Sequence, residues 1–302
     1  MFSSSNVPTD RKSMDHRPDQ SGYWRPFIIA VILFCVQMPV FAATLINGGV
    51  ISGSISVAGE IDSHTFTASV GEEVQIRVAD TSSNDFTPRI TLYGPGGYIT
   101  FGQGTNVGAI SQAIDANGTY TVQVADVSAG NDATGDYDLY FVKMPGANEG
   151  GALINGGVIS DQIDLGDLDS YTFTASAGEE VQIRVAEQGD SGLTPRITLY
   201  GPDGGYLTFG QGTKVGAISR EVEVDGTYTV VVSDVSAGND ATGGYDLYFV
   251  HMPGANEGGA LINGGMISDQ VDLGDLDSYT FTASAGEEVQ IRVAEQGDSG
   301  LT

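Results

Sequence analysis

The chain is poor in the residues that most enzymes depend on. Cysteine occurs once, at Cys35, and histidine three times in 302 residues. Cys35 lies in an apolar N-terminal run, so a chain cut after that run has no thiol, no disulfide and no cysteine-ligated metal, and cysteine use is silent about redox compartment. Past residue 42 the histidines are His64 and His251. They are not equivalent in the repeats described below: Tyr171 stands where His64 does, and Lys143 where His251 does. A histidine-based site would therefore exist in one copy only. No HExxH, GxSxG or cysteine-nucleophile pattern occurs. The expectation is a protein without catalysis, a carboxylate-pair hydrolase being the enzymatic reading this inventory leaves open. Basic residues are also scarce, 12 against 39 acids, for a net charge of -27. Arg11, Lys12, Arg17 and Arg25 fall in the N-terminal segment, which leaves 36 acids against 8 bases beyond residue 42. Such a surface repels nucleic acid and anionic lipid, and favours solubility in a salty external medium. Outside the N-terminal segment no window has a 3.6-residue amphipathic period.

The N-terminal segment has the layout of an export signal. A polar stretch with four bases leads into FIIAVILFCVQMPVFAA, Phe27 to Ala43, and Val40 and Ala42 fit the -3 and -1 positions of a cleavage site. Residues 1–42 are expected to be a signal peptide, giving a secreted protein with a mature N-terminus near Ala43. The alternative is an uncleaved membrane anchor, but 17 residues containing Gln37 and Pro39 fall short of the about 20 apolar residues a span needs. Phe34 before Cys35 does not fit a lipoprotein signal, which wants Gly or Ala there.

What is abundant is a repeat. LINGG starts at Leu45, Leu153 and Leu261, a spacing of 108 residues each time, and TFGQGT (Thr100, Thr208), DVSAGNDATG (Asp126, Asp234) and MPGANEGGALINGG (Met144, Met252) keep the same offset. The period is too long for a solenoid unit and suits one self-contained sandwich domain. The chain divides into repeat 1 (43–143), a linker (144–151), repeat 2 (152–251), a second linker (252–259) and a truncated repeat 3 (260–302). Proline and glycine in MPGANEGG predict a short flexible joint with few contacts across it. Repeat 3 holds the first strands only, and is expected to be poorly ordered alone or to belong to a longer protein.

Within repeat 2, apolar residues alternate with polar ones at Tyr171 and Phe173, at Val181, Ile183 and Val185, at Ile197 and Leu199, at Tyr228, Val230 and Val232, and at Tyr245, Leu247 and Phe249. Period-two alternation marks strands with one face on a core. SAGEE, GPDGG, QGTK, VDGT and AGNDATGG interrupt these runs with turn residues. The predicted fold is all-β, tandem antiparallel sandwiches of eight or so strands each.

Paired acids are the candidate metal ligands. Asp167 and Asp169, matched by Glu60 and Asp62 and by Asp275 and Asp277, sit two apart before a strand. Carboxylates so placed can share one Ca2+, which takes about six to eight oxygens. Asp234, Asn239 and Asp240, with Asp126, Asn131 and Asp132 in repeat 1, would supply more if the loops meet. The spacing fits neither an EF-hand nor the nonapeptide calcium repeat, and the competing reading is solvated turn acids. Arg184 and Arg196, recurring as Arg77 and Arg89, read as partners of neighbouring carboxylates. Tyr200, Tyr206 and Tyr248 read as strand-face filling, with an adhesive patch as the other option.

The succession LINGGVISDQIDLGDLDSYTFTASAGEEVQIRVAE, PRITLYGPDGG, DGTYTVVVSD and TGGYDLYFV resembles the bacterial pre-peptidase C-terminal domain, over nearly all of each copy. The resemblance implies a jelly-roll-like sandwich related to the collagen-binding domains of secreted collagenases, non-catalytic and attached to secreted enzymes. No peptidase domain accompanies the repeats here. Two functions follow as expectations. One is an extracellular binding or adhesion array for a protein or polysaccharide polymer, in which several weak sites add up. The other is an export or spacer region of a larger secreted hydrolase. Neither involves nucleic acid, and a membrane enters only through an uncleaved N-terminus.

Overall fold

A computed structural model describes residues 43–82 and 84–297. The expected signal peptide, with Val40 and Ala42, lies outside them. Among the described residues there is no helix long and apolar enough to cross a membrane; the ordered elements are strands. Repeat 1 contributes β1 (Ala43–Thr44), β2 (Gly49–Ile55), β3 (Ile61–Ala68), β4 (Glu73–Asp80), β5 (Pro88–Gly94), β6 (Gly97–Gln103), β7 (Val107–Ala113), β8 (Gly118–Asp126) and β9 (Gly135–Met144). Repeat 2 contributes β10 (Gly151–Ala152), β11 (Gly157–Ile163), β12 (Asp169–Ala175), β13 (Glu180–Glu187), β14 (Pro195–Tyr200), β15 (Tyr206–Gln211), β16 (Val215–Glu221), β17 (Gly226–Asp234) and β18 (Gly243–Met252).

Repeats 1 and 2 are each two sheets. In repeat 1 they run β1-β3-β8-β5-β6 and β2-β9-β4-β7; in repeat 2, β10-β12-β17-β14-β15 and β11-β18-β13-β16. The eight long strands are all antiparallel and have jelly-roll order, and the two-residue β1 and β10 add parallel to β3 and β12. Every alternating apolar residue singled out in repeat 2 is buried in one core cluster, and repeat 1 has its own. Phe173 ties the two sheets together, its ring 4.7 Å from Phe249 and stacked 5.2 Å from Tyr228. The Tyr228 hydroxyl then donates to the Val224 carbonyl at 2.5 Å, and Tyr120 does the same to Ala116 at 2.7 Å, satisfying a polar group at the edge of an apolar core.

The TFGQGT motif has a steric reason. A Cβ on Gly102 would sit 2.0 Å from the Ala109 carbonyl oxygen, and one on Gly210 2.0 Å from that of Ala217. The crossing from one sheet to the other at β6–β7 and β15–β16 brings backbones into contact, and only glycine fits.

The linker differs from expectation. Met144 and Ala147 are fully buried. Asn47 exchanges two hydrogen bonds with the backbone of Lys143, at 2.6 and 2.8 Å, and the Gly150 amide donates to the Ser170 carbonyl at 2.9 Å. A junction cluster of Val142, Met144 and Ala147 with Leu168, Tyr200 and Val231 lies between the sandwiches. The flexible joint with few contacts is thus a packed strap. Glycine and proline report that a segment is not a strand or helix, and carry no information about what packs on it.

Residues 260–297 make a single parallel bridge, Ala260 to Thr280, and Val289, Ile291 and Val293 are exposed. Among the described residues of this stretch, 260–297, no strand takes the place that β17 and β18 have in repeat 2.

Candidate binding surface and junction

The two acids of each pair reach different partners. Asp169, at the start of β12, turns inward and accepts the Tyr245 hydroxyl at 2.6 Å; that hydroxyl is 2.6 Å from the Tyr171 hydroxyl, which donates to Asp161 at 2.9 Å. Asp167 accepts the Leu168 amide at 2.7 Å and lines a cavity of about 250 Å³ between the sandwiches, with Glu149, Asp164 and Leu168. Burial, with the neighbouring Asp167 charge, pushes Asp169 up to about 8, and burial pushes Asp167 up to about 6, Asp164 and Asp161 adding to it. Glu149 is raised by burial first, and then by the charges of Asp167 and Asp161. In repeat 1, Asp62 accepts the Tyr137 hydroxyl at 2.7 Å, and His64 Nε2 lies 3.0 Å from that hydroxyl. Burial lowers the His64 pKa although Asp62 pulls it the other way. Glu60 closes its own turn, accepting from the Ser56 amide and hydroxyl and the Val57 amide.

Asp126 and Asp234 are loop organisers. One oxygen of Asp234 accepts the Thr194 and Ser236 amides, both at 3.0 Å, and the other accepts the Ser236 hydroxyl at 2.5 Å and the Ala241 amide at 3.2 Å. Asp126 holds Thr87, Ser128 and Ala133 in the same way. Asn131 and Asn239 supply the left-handed turn of each loop, with φ of 51° and 54°. Asp132 is exposed, and Asp240 accepts the side-chain amide of Asn106 of repeat 1 at 2.7 Å. In repeat 3, Asp275 accepts the Leu276 amide at 2.7 Å, and burial with Asp275 raises Asp277 to about 6. Among the described residues, no three or more Asp, Glu, His or Cys side chains are grouped to hold a metal ion.

The arginines differ from their expected role. Arg77 is buried at the junction and its Nη2 donates to the Asp234 carbonyl at 3.0 Å; burial pulls its pKa down to about 10, which leaves it charged at neutral pH. Arg184 donates to the Asp275 carbonyl, also at 3.0 Å. Arg89 and Arg196 lie 4.1 Å from the ring centres of Phe101 and Phe209, cation–π contacts in place of ion pairs.

Those rings belong to a surface of which sequence reasoning had only Tyr206, as the less favoured adhesive-patch reading; Tyr98, Phe101 and Phe209 were missed. In β5–β6 the register slips between Leu92 and Tyr93, so that Thr100 faces Leu92, Tyr98 faces Tyr93, and Ile99 is the extra residue. The bulge re-aims the strand and brings Tyr98 and Phe101, three apart in sequence, to one face at the edge of the sheet. β14–β15 repeats it with Leu207 as the extra residue. Tyr98 and Phe101 are 59% and 46% exposed, Tyr206 and Phe209 49% and 45%. Tyr200, by contrast, is buried against repeat 1, accepting from Gln75, and Tyr248 borders the next junction cavity. The available signal was the recurrence of aromatic residues beside TFGQGT, which strict alternation hides.

No protein-family model matches the chain, and no curated protein does. Among solved structures it is similar to the pre-peptidase C-terminal domain of a Bacillus anthracis collagenase, at 19% identity and a TM-score of 0.29, over 34% of this chain and 97% of that one. It is also similar to the periplasmic inhibitor of g-type lysozyme from Aeromonas hydrophila, at 18% identity and a TM-score of 0.29, over 34% and 96%. The Salmonella Typhimurium inhibitor matches at 18% and 0.26, over 34% and 97%.

Proposed function

We propose that this chain is a non-catalytic extracellular binding array of pre-peptidase C-terminal-like sandwiches, each presenting a Tyr–Phe edge to an extended polymer of protein or polysaccharide. The observation that carries this reading is that Tyr98–Phe101 and Tyr206–Phe209 recur, each backed by an arginine, and stay exposed even in repeat 2, where the adjoining sheet face is covered. Large aromatics held open by a bulge cost solvation and serve no core, which is the pattern of a contact surface. Two such edges on one chain multiply a weak affinity. The family motifs in each copy support the same module class, and the N-terminal segment supports export.

Retention on insoluble protein fibres and polysaccharides tests it. The chain is expected to bind one class, and the combined Tyr98→Ala, Phe101→Ala, Tyr206→Ala and Phe209→Ala variant to lose about 100-fold in affinity, roughly 3 kcal/mol, with melting temperature unchanged. Either single-edge variant should lose less. Retention on no polymer, or equal retention by the four-site variant, would move the assignment to an export or spacer region.

A further inference from the structure

The two sandwiches meet sheet on sheet. Outward residues of the five-stranded sheet of repeat 2, Ser170, Thr198, Tyr200, Val231 and Ser233, are all buried, whereas their counterparts in repeat 1, Ser63, Thr91, Tyr93, Gln123 and Ala125, are only half-buried. What covers them is the outward face of the four-stranded sheet of repeat 1, through Gln75 and Arg77 on β4 and Val142 and Met144 on β9. The turn before β12 completes the contact. Gly166, at φ 77°, lies so close that a Cβ there would come within 3.0 Å of Ala79, and Leu168 is 2% exposed in the junction cluster.

The same contact recurs one repeat later. Gly274, at φ 84°, stands against Ala186 as Gly166 does against Ala79. Arg184 reaches the Asp275 carbonyl, and Leu276, Glu257 and Asp275 line a second cavity equivalent to the first. A head-to-tail contact that repeats without closing is an open, propagating one.

Repeat 1 departs from this pattern where its own five-stranded face would have to dock. Gln123 replaces Val231, the turn before β3 is one residue longer, and Ile61, in the place of Leu168, is 48% exposed. The GPGG turn lacks the extra residue of GPDGG, whose Gly204 lies against the Met144 carbonyl. We infer that the four-stranded face of each repeat is a docking surface for the five-stranded face of another copy, building a continuous stack of sheets, and that repeat 1 is the starting unit, altered so that no copy docks ahead of it.

Spin labels at Asp115→Cys and Glu223→Cys, in the full chain with Cys35→Ser, read the junction directly. The distance distribution is expected to be single and narrow, and to become roughly twofold broader, as for two independently moving domains, in Leu168→Asp and in Val231→Gln. Both sandwiches should still melt as before, because repeat 1 folds with Gln123 and an exposed Ile61 at these positions. A broad distribution in the unaltered chain would overturn the docking surface. A narrow one in Val231→Gln would overturn the role given to Gln123.

Discussion

Replacing Asp169 with asparagine is expected to stabilise the second sandwich at pH 7 by about 2–4 kcal/mol. The carboxyl is buried beside Asp167, with Asp161 and Glu149 close by, and its folded pKa is about 8. At neutral pH the folded state must hold a proton that the unfolded chain releases, and each pH unit of that mismatch costs about 1.4 kcal/mol. Because the pKa is raised on folding, the associated stability is fully present below the unfolded value of 3.8 and is lost as pH rises through about 8. Asp167, raised to about 6, and Glu149, also raised, act in the same direction at the junction. Asparagine can still accept the Tyr245 hydroxyl, so the packing survives. His64 gives repeat 1 the opposite sign: its pKa is lowered by burial, so its contribution is present above the unfolded value of 6.5 and falls as acid forces a proton onto it. Two sandwiches of closely related sequence should therefore respond oppositely to pH between about 4 and 8. Calorimetric melts across that range check this, with Asp169→Asn expected to flatten one transition and His64→Tyr, the residue of repeat 2, the other. Parallel pH profiles for both transitions would refute the account.

Asp234→Asn is expected to destabilise the same sandwich by about 3 kcal/mol, or about 15 °C in its melting temperature. The carboxylate is fully buried and both oxygens accept, from three backbone amides and one hydroxyl. An asparagine must turn its amide nitrogen toward at least one of these donors, leaving a buried N–H unsatisfied. Asp126→Asn should weaken repeat 1 similarly, since Asp126 holds the matching set of donors. Thermal denaturation with EDTA and with excess Ca2+ separates the two roles these aspartates were given. A melting temperature indifferent to Ca2+, with the large loss in Asp234→Asn, is the expected result. A calcium-dependent rise that the substitution abolishes would assign the loop to a cation.

The core of the second sandwich was legible residue by residue. From Tyr171 to Phe249, each alternating position proved to face inward, because a pleated strand puts neighbours on opposite faces whatever surrounds them. The candidate site was less legible. Asp167 and Asp169 have the same chemistry and lie two apart, yet one lines an inter-repeat cavity and the other reaches Tyr245. The separation depends on Leu168 being drawn into the junction, which no spacing rule contains. The aromatic edge, Tyr206 apart, escaped for a different reason: one inserted residue, Ile99 or Leu207, breaks the period on which the reading of faces relies.

The amino-acid sequence by itself determined the repeat, the turns and the inward residues of five strands of the second sandwich, β12, β13, β14, β17 and β18, since these rest on local geometry and on side-chain alternation over a few residues. Only the tertiary structure decided what the outward residues do. Val231, Ser170 and Arg77 sit at positions that alternation assigns to solvent, and are buried because a second sheet lies on them. Alternation divides a strand into two faces but does not say what covers the second, which depends on segments about a hundred residues away meeting in space.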